Sequence, residues 1–153
     1  MSQTRERGSA KTRPNEQDPA AVIAAHPHEG RRADGERVLT RLTEVTGQPP
    51  VLWGGSIIGF GEQNYDTAAG IRSTTPSIAF ALRSTGLVFY GLLPEAPDAA
   101  WQARLDEIGP VRATKGCVYV TRLARVDEDA LFALAADAYA RETARSGAPS
   151  PEA

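Results

Sequence analysis

The hydrophobic period of this chain changes after Thr46, at a place where the backbone has little choice. Up to Thr46, the residues Val38, Leu39, Leu42 and Val45 fall on one stripe at helical spacing. Gly47 then stands where a left-handed C-terminal cap belongs. Pro49-Pro50 removes the N–H groups and the dihedral freedom that a continuing helix needs. From Val51 onward, apolar residues cluster in short runs of strand length. A chain that must leave a helix and enter strands here, with helical patterns at both ends, folds as α+β.

Local signals place the elements around that break. Asp18-Pro19 pairs a favoured N-cap with a favoured first helical residue, predicting a short helix to about Ala25 that Pro27 ends. A second helix is predicted from about Glu29 to Thr46, with first turns weakened by Gly30 and Gly35. Ser56 to Phe60 predicts a strand whose flanking Gly54, Gly55 and Gly61 suggest bulges or close backbone approach. Ile78 to Leu82 and Leu87 to Tyr90 predict a hairpin joined by a four-residue connection, Arg83 to Gly86. Asp66 to Pro76, rich in Thr, Ser and Gly, is read as a mobile loop. Trp101, Leu105 and Ile108 mark a third helix from about Asp98, stopped by Gly109-Pro110. Cys117 to Val120 is a last strand, and Asp127 caps a final helix bearing Leu131, Leu134, Ala135 and Ala138 on one stripe. The expected architecture is a mainly antiparallel sheet with helices packed on one face.

The 153 residues suit one domain, and a hydrophobic content of 41% suffices for one core. Residues 1–17 and 146–153 hold almost nothing to bury, so disordered tails are expected around a single domain at 18–145. Seventeen Lys+Arg against nineteen Asp+Glu leave a net charge of −2, which provides no overall field to hold nucleic acid or an anionic membrane. No apolar run approaches the ~20 residues of a membrane span, and Met1 to Arg13 lacks the apolar stretch of a secretory signal. Cys117, the single cysteine, forms no internal disulfide. These features predict a cytoplasmic protein with neither nucleic acid nor membrane as partner.

Few residues point to chemistry. In the stretch from Trp53 to Gly61, glycines let backbone N–H groups approach a ligand, Trp53 offers a stacking face and Ser56 a hydroxyl. The same glycines also permit strand bulges, and Trp53 also suits a core. The candidate ligand-binding residues are Trp53, Gly54, Ser56, Gly59, Gly61, Tyr65 and Lys115, though Lys115 reads first as a lysine that protects a sheet edge. Cys117 sits among apolar residues and reads as a buried, inert thiol. His26, His28 and Glu29 are metal-ligand types in a proline bend, but a site needs three or four ligands fixed by their neighbours. Asp34, Glu36 and Glu44 share their helix with Arg31, Arg32, Arg37 and Arg41, which largely neutralise them. Ser56, a histidine and Asp66 make a triad only on paper, since no nucleophile elbow accompanies them. No catalytic or metal residue is assigned, and an enzyme is not expected.

Two stretches resemble a known family. Thr46-Gly47-Gln48-Pro49-Pro50-Val51-Leu52-Trp53-Gly54-Gly55-Ser56-Ile57-Ile58-Gly59-Phe60-Gly61 is similar to the first motif of the bacterial YdhG-like domain of unknown function. Lys115-Gly116-Cys117-Val118-Tyr119-Val120-Thr121-Arg122-Leu123, followed by Val126-Asp127, resembles its second. Thr114 replaces the family's usual glycine before the lysine. Phe80-Ala81-Leu82-Arg83-Ser84 replaces its Phe-Ser-Pro-Arg-Lys run. The resemblance implies a compact domain with a frataxin-like look, and iron as a cofactor only because some relatives are described as iron chaperones. The expected function is a non-enzymatic binding module for a protein or small ligand, docked along Trp53 to Tyr65. The alternatives are a frataxin-like iron-binding chaperone and an enzyme using that same cleft. The oligomeric state is left open.

Overall fold

The structure, a computed structural model, describes residues 14–66, 72–93, 98–114 and 117–145. Most of both expected tails, 1–13 and 146–153, lies outside the described residues, and so does Lys115. The fold is α+β, with four helices packed against a seven-stranded antiparallel sheet. No described helix is long and apolar enough to cross a membrane.

Local chemistry sets the helices. Helix α1 (Pro19–Ala24) starts at Asp18, whose carboxylate accepts from the Ala20 N–H at 3.0 Å. Helix α2 (Glu29–Thr46) starts at His28, whose Nδ1 accepts from the Arg31 N–H at 3.2 Å. It ends at Gly47, whose φ of 69° is the left-handed cap anticipated from sequence. Helix α3 (Ala99–Ile108) is capped by Asp98, and α4 (Glu128–Arg145) by Asp127, which accepts from Ala130 at 3.1 Å.

The strands are β1 (Pro14–Asn15), β2 (Val51–Trp53), β3 (Ile57–Phe60), β6 (Ile78–Arg83), β7 (Gly86–Tyr90), β8 (Arg112–Thr114) and β9 (Cys117–Val120), in the order β1-β2-β3-β6-β7-β9-β8. A separate two-stranded ribbon joins β4 (Gln63–Asp66) to β5 (Arg72–Thr75). Several expectations are corrected here. Pro14 and Asn15 pair with β2, and the Asn15 side chain donates to the Gly54 carbonyl at 3.0 Å, so order begins before Asp18. Backbone pairing orders this segment, and a lack of apolar residues does not forbid that. Residues 72–75, read as loop, form a strand, in keeping with the β-branched Thr74 and Thr75. Arg83 pairs directly with Gly86, so Ser84-Thr85 alone turns the β6–β7 hairpin and the expected longer connection is wrong.

Alternation assigns the two sheet faces. Leu52, Ile58, Phe60, Ile78, Phe80, Leu87, Phe89, Val118 and Val120 share one core with Val38 and Leu42 of α2, Leu105 and Ile108 of α3, and Leu131, Phe132, Leu134 and Ala135 of α4. Within it runs a chain of rings. Phe60, Phe80 and Phe89 on adjacent strands lie 6.4 and 6.3 Å apart, and Phe132 of α4 meets Phe89 edge-on at 6.5 Å.

One buried charge ties the helix layer to the chain after β9. The Asp34 carboxylate accepts from Arg122 Nε at 2.8 Å and from the Leu123 backbone N–H at 3.2 Å. Asp34 thereby raises the Arg122 pKa above its ordinary value, by hydrogen bonding first and charge second. The Asp34→Ala variant strands the Leu123 N–H in a buried place and is expected to lose about 1–3 kcal/mol of stability. Urea unfolding checks this as a midpoint shift at unchanged slope.

Candidate ligand-binding face

The register that builds the core also fixes what the opposite face carries. One row across the strands reads Trp53, Ile57, Ala81, Val88, Tyr119, Arg112. Ile57 falls opposite Ala81 because Ile58 pairs with Phe80. The next row reads Val51, Gly59, Ala79, Tyr90, Cys117, Thr114. Neither row contains an acidic residue, and none of these side chains belongs to the core shared with the helices.

Even so, the middle of this face is buried: Ala79 is 1% exposed, Ala81 is fully buried, and Val88 is 6% exposed. Large side chains lie flat over small ones. Trp53, 1% exposed, covers Gly59, where an added β-carbon would fall 2.8 Å from the indole Nε1 and 2.5 Å from Pro76 Cβ. Its Nε1 is buried and finds no acceptor among the described residues. Arg83 reaches back along the sheet, donating to Tyr90 Oη at 2.8 Å and to Ser56 Oγ at 3.3 Å. Arg83 and Tyr90 approach from opposite sides of the Ala81–Val88 row, so their bond closes over Ala81.

Among the described residues, two hollows adjoin the face. One of about 140 Å³ lies beside Trp53, between Pro49, Val51, Gly61 and Glu62. That is small for a metabolite. The other, of about 360 Å³, opens where β7, β9 and β8 end, with Val88 and Tyr119 on the sheet, Val111 just before β8, Arg112 from its first position, and Thr85 and Thr121 from the neighbouring turns. At its wall the Arg112 guanidinium stacks on the Tyr119 ring, 4.5 Å from the centroid.

The sequence candidates are thus divided. Trp53, Ser56 and Gly59 do meet on one face, Trp53 and Gly59 as packing and Ser56 as a partner of Arg83. Gly54 belongs to the β2–β3 turn, with φ of 67°. A β-carbon on Gly61 would meet Tyr139 of α4 at 2.8 Å, so this glycine serves close packing against that helix. Tyr65 lies on the β4–β5 ribbon, paired with Ser73. Cys117 is half-buried, more open than expected. Arg83, Tyr90, Arg112 and Tyr119 were missed. The one signal for them was a polar or amphipathic residue at the outward position of each apolar strand.

The metal-type residues are engaged locally. His26 Nδ1 accepts from the His28 N–H at 3.1 Å, and His28 caps α2. Among the described residues no group of three or more His, Cys, Asp or Glu is placed to hold a metal ion. Comparison with models of known families, with curated proteins and with solved structures finds no match.

The packing role of Trp53 is testable. Trp53→Ala should cost roughly 3–5 kcal/mol in urea unfolding, because the ring covers Gly59 and leaves a cavity when removed. A loss below about 1 kcal/mol, typical of surface changes, would mean that Trp53 packs little and is held for a ligand.

Proposed function

We propose that this protein is a non-enzymatic binding module that holds a small anionic ligand in the cleft at the ends of β7, β9 and β8. The carrying observation is Arg112, which stacks on Tyr119 at the cleft wall and has no carboxylate partner among the described residues. Five other arginines do have one: Arg37 and Arg41 pair with Glu128, Arg104 with Asp137, Arg122 with Asp34 and Arg141 with Glu142. Among the described residues, the guanidinium at the cleft meets no counter-charge.

The volume supports a metabolite-sized occupant, since such sites span ~300–1,000 Å³. Val88 and Val111 supply apolar contact for a flat body, while Arg112 suits bidentate recognition of a phosphate or carboxylate. The polar side chains of the lining are Thr85, Thr121, Tyr119 and Arg112, without a His, Cys, Asp or Glu to serve as general base or nucleophile. That favours holding over turnover. The motifs at 46–61 and 115–127 support placing the chain with the YdhG-like family. The iron-chaperone alternative is weakened by Asp34, the one acid of its set that turns inward to Arg122.

Native mass spectrometry of the protein purified from its own cells tests this reading. A retained small anionic compound is expected, and Arg112→Ala should weaken its binding about tenfold or more, the loss of a charged hydrogen bond. Wild-type protein carrying no small molecule, or undiminished retention by Arg112→Ala, overturns it.

A further inference from the structure

The same face carries a second cluster that the cleft does not use. Arg83, Ser56 and Tyr90 come together from β6, the β2–β3 turn and β7. Both hydroxyl oxygens accept from the guanidinium, so their own protons point away from it. Arg83 spends one N–H on each and keeps the rest of its fork. Among the described residues, none of these remaining donors meets an acceptor, and Arg83 has no carboxylate partner. The result is a cluster of donors around one positive charge, half-buried, with nothing negative in it. Access is free on the turn side: a β-carbon on Gly55, next to Ser56, would meet no atom within 4 Å.

Such a cluster is complementary to an oxyanion. Its charge-assisted bonds are strengthened because Ala79, Ala81 and Trp53 beneath and beside it exclude water. We propose that Arg83, Ser56 and Tyr90 form a seat for an oxyanion, a phosphate or carboxylate group, distinct from the cleft at Arg112. The seat rests on reading the helix-free face as the binding face, but on separate residues. The anion takes the free N–H groups of Arg83 and the two hydroxyl protons, and the Arg83–Tyr90 bond presets the guanidinium plane for it. No bond is made or broken.

Titrating the full-length protein with inorganic phosphate, and separately with acetate, at constant ionic strength tests the seat by ¹H–¹⁵N NMR, including the arginine Nε–H signals. Saturable shifts centred on Gly55, Ser56, Arg83 and Tyr90 are expected, half-saturating at roughly millimolar anion. Saturation by phosphate alone identifies a phosphoryl ligand, and saturation by both admits carboxylates. Arg83→Gln should abolish the response, and Tyr90→Phe, which keeps the ring, should weaken it about tenfold. Should Arg83→Gln not fold, Tyr90→Phe and Ser56→Ala carry the test. Non-saturable shifts in wild type, shifts centred on Arg112 and Tyr119 instead, or an unchanged response in Tyr90→Phe would overturn the seat. A cleft ligand that is retained by wild type and lost in Arg112→Ala survives that outcome. A saturable seat beside a cleft that retains nothing would sink the cleft reading alone.

Discussion

The register between β6 and β7 decides the character of both sides of the sheet. With Phe80 opposite Phe89 and Ala81 opposite Val88, the large rings face the helices and the small residues face away. A slip of one residue would reverse this, sending Phe89 outward and Tyr90 under α4. The ring chain continues to Phe60 on one side and Phe132 on the other, so the sheet's register and the seating of α4 are one packing problem. The tight Ser84-Thr85 turn pins it, since a two-residue turn leaves no slack for slippage.

On the other face, small residues in the central strands let long side chains lie down along the sheet. Gly59, Ala79 and Ala81 leave no side chains to prop up Trp53 or the Arg83–Tyr90 pair. The face is therefore closed by its own aromatic and guanidinium groups. This arrangement is unlike a core, because the polar ends of those groups remain directed outward with donors to spare. The orphaned indole N–H of Trp53 is the exception, a buried donor without an acceptor that the apolar packing around the ring must offset.

Charge is partitioned in the same way. Ion pairs of Arg37, Arg41 and Arg104 knit α2 and α3 to α4 along the exposed rim of the helix layer, where each contributes little. Arg83 and Arg112 sit across the sheet from those carboxylates. A net charge of −2 for the whole chain thus coexists with a face that has positive groups and no acids in its described rows. Total charge describes long-range attraction, and recognition by two guanidinium groups at close range does not depend on it.

Elements whose cause is local are legible along the chain alone. The span of α2, its left-handed stop at Gly47, the Asp18, Asp98 and Asp127 caps and the stripes of α3 and α4 all follow from residues within a turn or two of each other. Strand β1, the ribbon of β4 and β5 and the length of the β6–β7 turn escaped because pairing with a distant partner, not composition, creates them. The candidate site lies wholly on the tertiary side. Trp53 and Ser56 were visible as unusual residues, yet only the register showed that one is packing and the other a partner of Arg83. Ser56 and Arg83 are 27 residues apart, and Asp34 and Arg122 are 88. Side-chain chemistry at such separations is decided by which strands and helices pair, a choice made by burying the aromatic core and not written in any local pattern.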